Sequence, residues 1–195
     1  MDTEHQNIIH SLLQIQPNLQ KETLEAFCNI LRFKSYKKGE TISLEGKTNN
    51  VVSFIESGAV MVYNHLDGRK KVYNFFFEHE FTGDYESFLT RKPAVYGIEA
   101  VEDTTLLNLH YNNLQKIYNT YPDFERIGRI MAETQFLRLV QRNTSLLAQT
   151  PEERYLNLIK TKPQVLQRVP QYYVASYLGI TPEALSRIRK RLVKI

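Results

Sequence analysis

The chain has 195 residues, 42% of them hydrophobic, and a formal net charge of +4. This length and composition predict a globular protein with one larger and one smaller domain. The single cysteine, Cys28, excludes an intrachain disulfide and a cysteine-rich metal site built from this chain alone. No apolar run approaches the ~18 residues that span a bilayer, and the N-terminus lacks signal-peptide features, so we expect a cytoplasmic location without membrane contact.

The first half of the chain changes from a helical to a β-type pattern. Residues 5–33 carry apolar side chains at helical spacing, and Pro17-Asn18 divides them into two short helices. Between Ser35 and Leu109, short apolar runs alternate with glycine-containing turns, of which Asp67-Gly68 indicates a hairpin. The predicted strands are 41–44, 51–55, 59–64, 71–76, 96–101 and 105–109. Such evenly spaced short strands predict an antiparallel barrel or sandwich.

A long helix is predicted after Tyr121, because Pro122 starts a segment that continues without proline to Gln149. One seam along it follows heptad spacing, which favours dimerisation. A helix packed on its own barrel explains the seam nearly as well. The seam consists of Ile127, Ile130, Thr134, Leu137, Gln141, Thr144 and Ala148. The following Thr150-Pro151-Glu152-Glu153 is typical of a capping box, which begins a new helix and marks a domain boundary.

The last segment, residues 169–195, has the pattern of a helix-turn-helix. A short helix containing Tyr173, Val174 and Ala175 ends at Gly179, and Thr181-Pro182-Glu183 opens the next one. The small side chain of Ala175 suits the close approach of two steeply crossing helices. On the second helix, an apolar face lies opposite a charged face. The apolar face holds Leu185, Ile188 and Leu192, and the charged face holds Glu183, Arg187, Lys190 and Lys194.

Positive charge is concentrated in this terminal region. Residues 150–195 hold nine Lys or Arg against three Asp or Glu, whereas residues 1–149 have a net charge of −2. A basic module on a mildly acidic body predicts a polyanionic partner. Nucleic acid is favoured over a membrane surface, because the apolar face of the second helix is too small both to hold the hairpin together and to insert into a membrane. The alternative is an ordinary helical hairpin with a solvated basic face.

A β-barrel, a long helix and a terminal helix-turn-helix, in that order, resemble the cyclic AMP receptor protein and fumarate-nitrate reduction regulator (Crp/Fnr) superfamily of bacterial transcription factors. The sequences 36–42, Glu45-Gly46 and 56–60 are similar to the start of that family's β-roll. The resemblance implies an α+β fold with three parts. These are a cyclic-nucleotide-binding-like antiparallel β-roll with flanking helices (1–121), a long connecting and dimerisation helix (122–149), and a winged-helix-like helix-turn-helix domain (150–195). The wing is expected to be short or absent, or else the sequence is truncated, because only three residues follow Leu192.

The second helix of the helix-turn-helix also matches the E-x-x-S-R pattern by which the fumarate-nitrate branch reads DNA. The match implies that Glu183, Ser186 and Arg187 contact bases and that Lys190 contacts a phosphate or a purine. Gln171, Tyr172 and Thr181 complete the implied DNA contacts. An i,i+4 ion pair between Glu183 and Arg187 is a simpler explanation that is compatible with this role. The implied partners are double-stranded DNA, a second copy of the chain and RNA polymerase.

The same resemblance locates an effector pocket, and here the sequence departs from the family. The implied pocket residues are Gly83, Asp84, Tyr85, Glu86, Ser87, Ala94 and Val95. Ala94-Val95 stands where nucleotide-binding members carry an arginine for the cyclic phosphate. The carboxylates of Asp84 and Glu86 would repel such an anion. Cyclic AMP binding is therefore not expected, and the effector is left unidentified.

Other chemistries have little support in the sequence. The five histidines are scattered without metal-ligand spacing, and GxSxG and cupin motifs are absent, so we expect no metal, no cofactor and no enzymatic activity. An aromatic-rich run is predicted to be core, with an apolar ligand pocket as the alternative. It comprises Tyr73, Phe75, Phe76, Phe77, Phe81, Tyr85 and Phe88. The alternative to a DNA-binding regulator is a cytoplasmic binding module whose terminal hairpin mediates protein contacts.

Overall fold

The computed structural model describes residues 5–192, and its strands all lie between residues 32 and 110. The strands are β1 (Arg32–Tyr36), β2 (Thr41–Ser43), β3 (Val51–Ser57), β4 (Val60–Leu66), β5 (Arg69–Phe76), β6 (Phe81–Thr82), β7 (Gly97–Ala100) and β8 (Thr104–His110). The helices are α1 (Gln6–Ile15), α2 (Lys21–Ile30), α3 (Tyr85–Thr90), α4 (Tyr111–Thr120), α5 (Pro122–Ala148), α6 (Pro151–Thr161), α7 (Pro163–Arg168), α8 (Gln171–Leu178) and α9 (Pro182–Leu192).

The strands form two antiparallel four-stranded sheets, ordered β1-β8-β3-β6 and β2-β7-β4-β5. Side chains of both sheets meet in one buried cluster, which includes Ile55 and Leu106 from the first sheet and Val60 and Ile98 from the second. The two sheets form a β-roll, and the predicted α+β class is confirmed.

Turn chemistry explains where the hairpins lie. Asp67 and Gly68 have φ values of 51° and 72°, the positive values that a two-residue type I′ turn requires, and they join β4 to β5. Gly58 joins β3 to β4 with φ 92°, and a Cβ there would lie 2.5 Å from the carbonyl oxygen of Asp103. Each of the six predicted strands corresponds to an observed strand, with ends shifted by no more than two residues.

Two strands were not predicted from the sequence. We expected helix through residue 33, but α2 ends at Ile30 and β1 begins at Arg32. β1 pairs with β8 over five residues, and this long-range pairing overrides the local helical pattern. β6 is only two residues long, too short to show an alternating pattern, and it pairs with β3.

Helices cover the outer face of the first sheet. Leu12 of α1, Phe27 of α2 and Leu114 of α4 are buried in one cluster with Phe54 and Leu107 of the sheet. The first turns of α5 join this cluster through Phe124 and Ile127, and the rings of Phe27 and Phe124 stack 4.6 Å apart. Ile127, the first residue of the predicted heptad seam, is therefore part of the chain's own core.

The C-terminal module, residues 151–192, packs against the second sheet. Met61, Val72 and Phe75 of β4 and β5 share a buried cluster with residues of α6 to α9. The helical members are Tyr155, Leu158, Val165, Val169, Val174, Ala175, Leu178, Leu185 and Ile188. The division into domains at residues 121/122 and 149/150 stays a prediction. Within the described residues, no helix has the length and apolar character to cross a membrane.

Candidate functional site

Helices α8 and α9 form the expected helix-turn-helix. Gly179 has φ 70°, its N–H donates to the carbonyl of Ser176, and the N–H of Ile180 donates to the carbonyl of Ala175. These two bonds form a Schellman motif, which explains why glycine ends α8. Thr181 then caps α9, because its hydroxyl accepts from the N–H of Ala184 at 3.2 Å. Ala175 is fully buried in the shared core, as its small size predicted.

The predicted DNA-contacting side chains are all exposed. On α9, Leu185 and Ile188 are buried, while the opposite face presents the charged and polar residues of the E-x-x-S-R pattern. The exposed set comprises Gln171, Tyr172, Thr181, Glu183, Ser186, Arg187 and Lys190. Lys194 of the predicted charged face lies outside the described residues.

Arg187 is not engaged by an acidic partner in residues 5–192. Among residues 5–192, the ion pair that α9 forms joins Arg191 to Glu152 at 2.9 Å. The simpler explanation considered above, an ion pair between Glu183 and Arg187, is therefore not observed. The pKa of Glu183 is lowered by hydrogen bonding to its own N–H at the helix start, by Thr181 and by the charge of Arg187. Glu183 is therefore an ionised acceptor and Arg187 an available donor on the same exposed face.

The body of α8 docks on β5, the last strand of the second sheet. The hydroxyl of Ser176 accepts from the N–H of Val72 at 3.0 Å and donates to the carbonyl of Lys70 at 3.4 Å. These bonds satisfy polar groups on a strand that has a single neighbour, β4, in its sheet. The helix-turn-helix is thus attached to the edge of the β-roll through α8.

Arg168, the last residue of α7, fastens the C-terminal module to the roll. Its guanidinium bonds both carboxylate oxygens of Glu78, at 2.6 and 2.8 Å, and also pairs with Glu102. The hydrogen bonds from Arg168 hold the pKa of Glu78 at about 2, well below its usual value. Nearby, Lys162 donates to the carbonyl of Phe75 at 3.1 Å, and burial lowers the pKa of Lys162.

Two arginines hold the C-terminal end of α8. Arg142, from α5, donates to the carbonyl of Tyr177 and stacks 3.9 Å from the centroid of its ring. Arg154, from α6, donates to the carbonyl of Leu178 at 3.0 Å. Cations at this end complement the helix dipole and satisfy carbonyls that the helix leaves unpaired. Sequence reasoning missed these docking residues, because their partners are distant along the chain.

In the predicted effector pocket, two buried polar side chains are hydrogen-bonded to the protein's own backbone. Asp84 is 3% exposed; its carboxylate caps α3 by accepting from the N–H of Ser87 at 3.0 Å and accepts from the N–H of Tyr96 at 3.2 Å. The hydroxyl of Ser87 accepts from the N–H of Asn49 and donates to the carbonyl of Lys92. The side-chain oxygens of Asp84 and Ser87 therefore bond the protein's own backbone.

The remaining pocket residues supply no cation. Ala94 is buried and its backbone pairs with Gly46 and Lys47, whereas Val95, Tyr85 and Glu86 are exposed. Gly83 links β6 to α3. The nearby Arg91 donates to the carbonyls of Asn49 and Phe88 and lies 4.2 Å from the ring centroid of Tyr111.

The side chains of residues 5–192 favour neither a metal site nor a reactive thiol. No group of three or more His, Cys, Asp or Glu there is arranged to hold a metal ion. Cys28 is half-buried, and burial raises the pKa of its thiol to about 11, which disfavours the reactive thiolate.

Along the chain, a β-roll is followed by a long helix and then by a helix-turn-helix. Residues 33–121 match the family model described as "Cyclic nucleotide-binding domain". A search of curated proteins found no match. Among solved structures, FixK2 from Bradyrhizobium japonicum aligns with a TM-score of 0.74 and 20% identity, covering 85% of each chain.

Two further structures align over most of this chain. The regulator CLP from Xanthomonas campestris has a TM-score of 0.71 and 21% identity, covering 90% of this chain and 92% of its own. The Thermus thermophilus catabolite activator protein has a TM-score of 0.57 and 21% identity, covering 94% and 87%. Residues 33–121 are thus similar to the cyclic nucleotide-binding domain, and the chain shares the fold of these three solved structures.

Proposed function

We propose that this protein is a sequence-specific, DNA-binding transcriptional regulator of the Crp/Fnr type that acts as a homodimer. The observation that carries the proposal is the exposed face of α9, where Glu183, Ser186 and Arg187 stand opposite the buried Leu185 and Ile188. The structural neighbours support it, since one is described as a global regulator of gene expression and another as an activator protein.

The side chains of α9 suit base recognition in the major groove. Arg187 donates two hydrogen bonds to the N7 and O6 of a guanine, and the ionised Glu183 accepts from a cytosine amino group. Ser186 contacts a base edge or a phosphate. Lys190, together with Gln171, Tyr172 and Thr181, positions the helix on the backbone. Because Leu185 and Ile188 fix α9 in the core, these side chains extend from a rigid support.

The homodimer is proposed to form along α5. Beyond the turns buried against the roll, α5 exposes Phe136, Val140 and Leu147, which are 64%, 44% and 90% exposed and lie on one side of the helix. Leu137, from the predicted seam, is also exposed. A second copy of the same helix would cover this surface, and a twofold dimer presents two α9 helices to a palindromic operator.

The effector is proposed not to be cyclic AMP. Asp84 and Ser87 already bond the backbone, and neither Ala94 nor Val95 can pair with a phosphate. Calorimetric titration with cyclic AMP and cyclic GMP should give no micromolar binding, and such binding to either nucleotide would contradict this part of the proposal. RNA polymerase as a partner stays a prediction.

The test of the function is selection of bound duplexes from a random pool at about 50 mM salt, where phosphate contacts are strong. We expect an enriched palindrome with half-sites about one helical turn apart, which would report the reading helix and the dimer together. Failure to retain any duplex at this salt concentration would contradict the proposal and favour a module that binds protein through its hairpin.

A further inference from the structure

Asn143 lies in the middle of an exposed apolar surface on α5. Within this helix, the residues three, four and seven positions from Asn143 are its neighbours on the helix surface, and all of them are apolar and exposed. They are Phe136, Leu139, Val140, Leu146 and Leu147. Asn143 is itself exposed, and it is the polar member of this set, which we call the α5 stripe.

Most of the α5 stripe faces away from the rest of the chain. On one side of α5, Arg138 pairs with Glu80 of the β-roll at 3.1 Å, and Arg142 donates to the end of α8. Helical spacing places most of the stripe on the other side. Toward the start of the helix, the ion pair between Arg129 and Glu133 ends the apolar surface. The α5 stripe is thus about three turns long, and residues 5–192 leave it open to a partner.

The spacing of the α5 stripe fits a second copy of the same helix. Phe136, Leu139, Asn143 and Leu146 are separated by three, four and three positions, which is the repeat of a two-stranded coiled coil. A partner must also offer a hydrogen-bonding group to Asn143, because an amide that loses water without gaining a partner is unfavourable. A second copy does both, since it presents the same side chains in a twofold packing. The stripe differs from the heptad seam expected from the sequence, whose first residue, Ile127, is buried in the chain's own core.

The position of Asn143 distinguishes the ways in which two such helices can pair. In a parallel, in-register pair, each residue faces its own counterpart, so the two Asn143 amides can hydrogen-bond to each other. An antiparallel pair that covers the whole stripe places Asn143 against Val140 and Phe136 against Leu147, which leaves the buried amide without a partner. An antiparallel pair centred on Asn143 places Phe136 against Thr150, beyond the end of α5. The parallel pair is therefore the arrangement that satisfies the amide and covers the whole stripe.

We propose that Asn143 fixes the orientation and register of the homodimer by hydrogen-bonding to its counterpart in the second copy across the twofold axis. The inference rests on the proposed function, which includes the homodimer, and it adds the residue that selects one pairing of the two α5 helices. A parallel pair brings both α9 helices to the same end of the dimer, where one palindromic operator can bind both. A single asparagine in a coiled-coil seam has this effect at some cost in stability.

The test replaces Asn143 by opposite charges in the full chain. Asn143→Asp and Asn143→Lys each bring like charges together in a parallel pair, and each should weaken self-association at least about tenfold in sedimentation experiments. An equimolar mixture of the two variants should form heterodimers, detected by native mass spectrometry, with an affinity within about threefold of the wild type. The matched controls are Gln141→Asp and Gln141→Lys, which change an exposed residue of α5 outside the stripe and should leave the dissociation constant unchanged.

A disulfide trap reports the orientation separately. Phe136→Cys is made in a Cys28→Ser background and oxidised with diamide. We expect a covalent dimer, because a parallel pair brings the two 136 positions within the reach of a disulfide, whereas both antiparallel pairs place them at opposite ends of the stripe.

The inference is overturned if Asn143→Asp and Asn143→Lys associate as strongly as the wild type, or if their mixture does not regain affinity. A Phe136→Cys chain that forms no covalent dimer also overturns it. In each of these cases the wild-type homodimer itself stands. A wild-type chain that stays monomeric in sedimentation contradicts the homodimer and the inference with it, so the two failures are distinguishable.

Discussion

The segment from Gly83 to Val95 and the helix α9 are both predicted ligand-contacting regions, and their polar side chains are in opposite states. In the first, Asp84 and Ser87 are buried and bonded to the backbone. In the second, Ser186 and Arg187 are exposed on a helix that other residues anchor. The difference shows that the polar side chains of one predicted site hold the local fold together, whereas those of the other are available to a partner.

The largest expected effect would separate the two faces of α9. Leu185→Ala should lower the free energy of unfolding by about 2–5 kcal/mol, because a fully buried side chain is removed from the shared core. Urea denaturation measures the change. The neighbouring exposed Ser186→Ala should change stability by less than about 0.5 kcal/mol. Equal losses for the two variants would contradict the assignment of a packing face and a reading face.

The next effect tests whether Asp84 is structural. Asp84→Ala should cost about 2–3 kcal/mol of unfolding free energy, because α3 loses its cap and the buried N–H of Tyr96 loses its acceptor. The matched control is Glu86→Ala, an exposed carboxylate two residues away, for which we expect about 0.5 kcal/mol or less. If the Asp84→Ala variant were as stable as the wild type, the structural role of Asp84 would be contradicted, and Asp84 would again be a candidate ligand contact.

The smallest effect concerns the docking of the C-terminal module. The pKa of Glu78 is lowered in the folded protein, so its contribution to stability is present above its ordinary value of 4.5 and is lost as the pH falls toward about 2. We expect Glu78→Gln to flatten the dependence of unfolding free energy on pH in this interval. Arg168→Met should flatten it similarly, and the double variant should show little further change. Independent, additive effects would contradict the pairing.

Local sequence patterns predicted much of the fold because the interactions behind them join residues that are close together in the chain. Gly179, the Thr150 capping box and the Asp67-Gly68 turn all act within a few residues, and each is found where the sequence indicated. The docking of α8 on β5 depends on Ser176 meeting Val72, 104 residues earlier in the chain. No periodicity in the sequence encodes such a long-range contact.

The exposure of the α9 side chains was predictable, because helical spacing places Leu185 and Ile188 on one face and Arg187 on the other. The burial and hydrogen bonding of Asp84, in the predicted effector pocket, were only partly predictable. The sequence revealed the missing arginine, but the second hydrogen bond of Asp84, from the N–H of Tyr96, depends on the path of the intervening loop.

The most direct test of the central claim, that α9 reads bases, compares Arg187→Ala with Arg189→Ala on a selected operator and on a scrambled duplex. Both substitutions remove one positive charge from α9, but only Arg187 belongs to the proposed reading face. We expect Arg187→Ala to reduce the difference in binding free energy between the operator and the scrambled duplex by about 1–3 kcal/mol, which lowers the ratio of the two affinities. Arg189→Ala should weaken binding to both duplexes about equally. An unchanged ratio in Arg187→Ala would contradict the account.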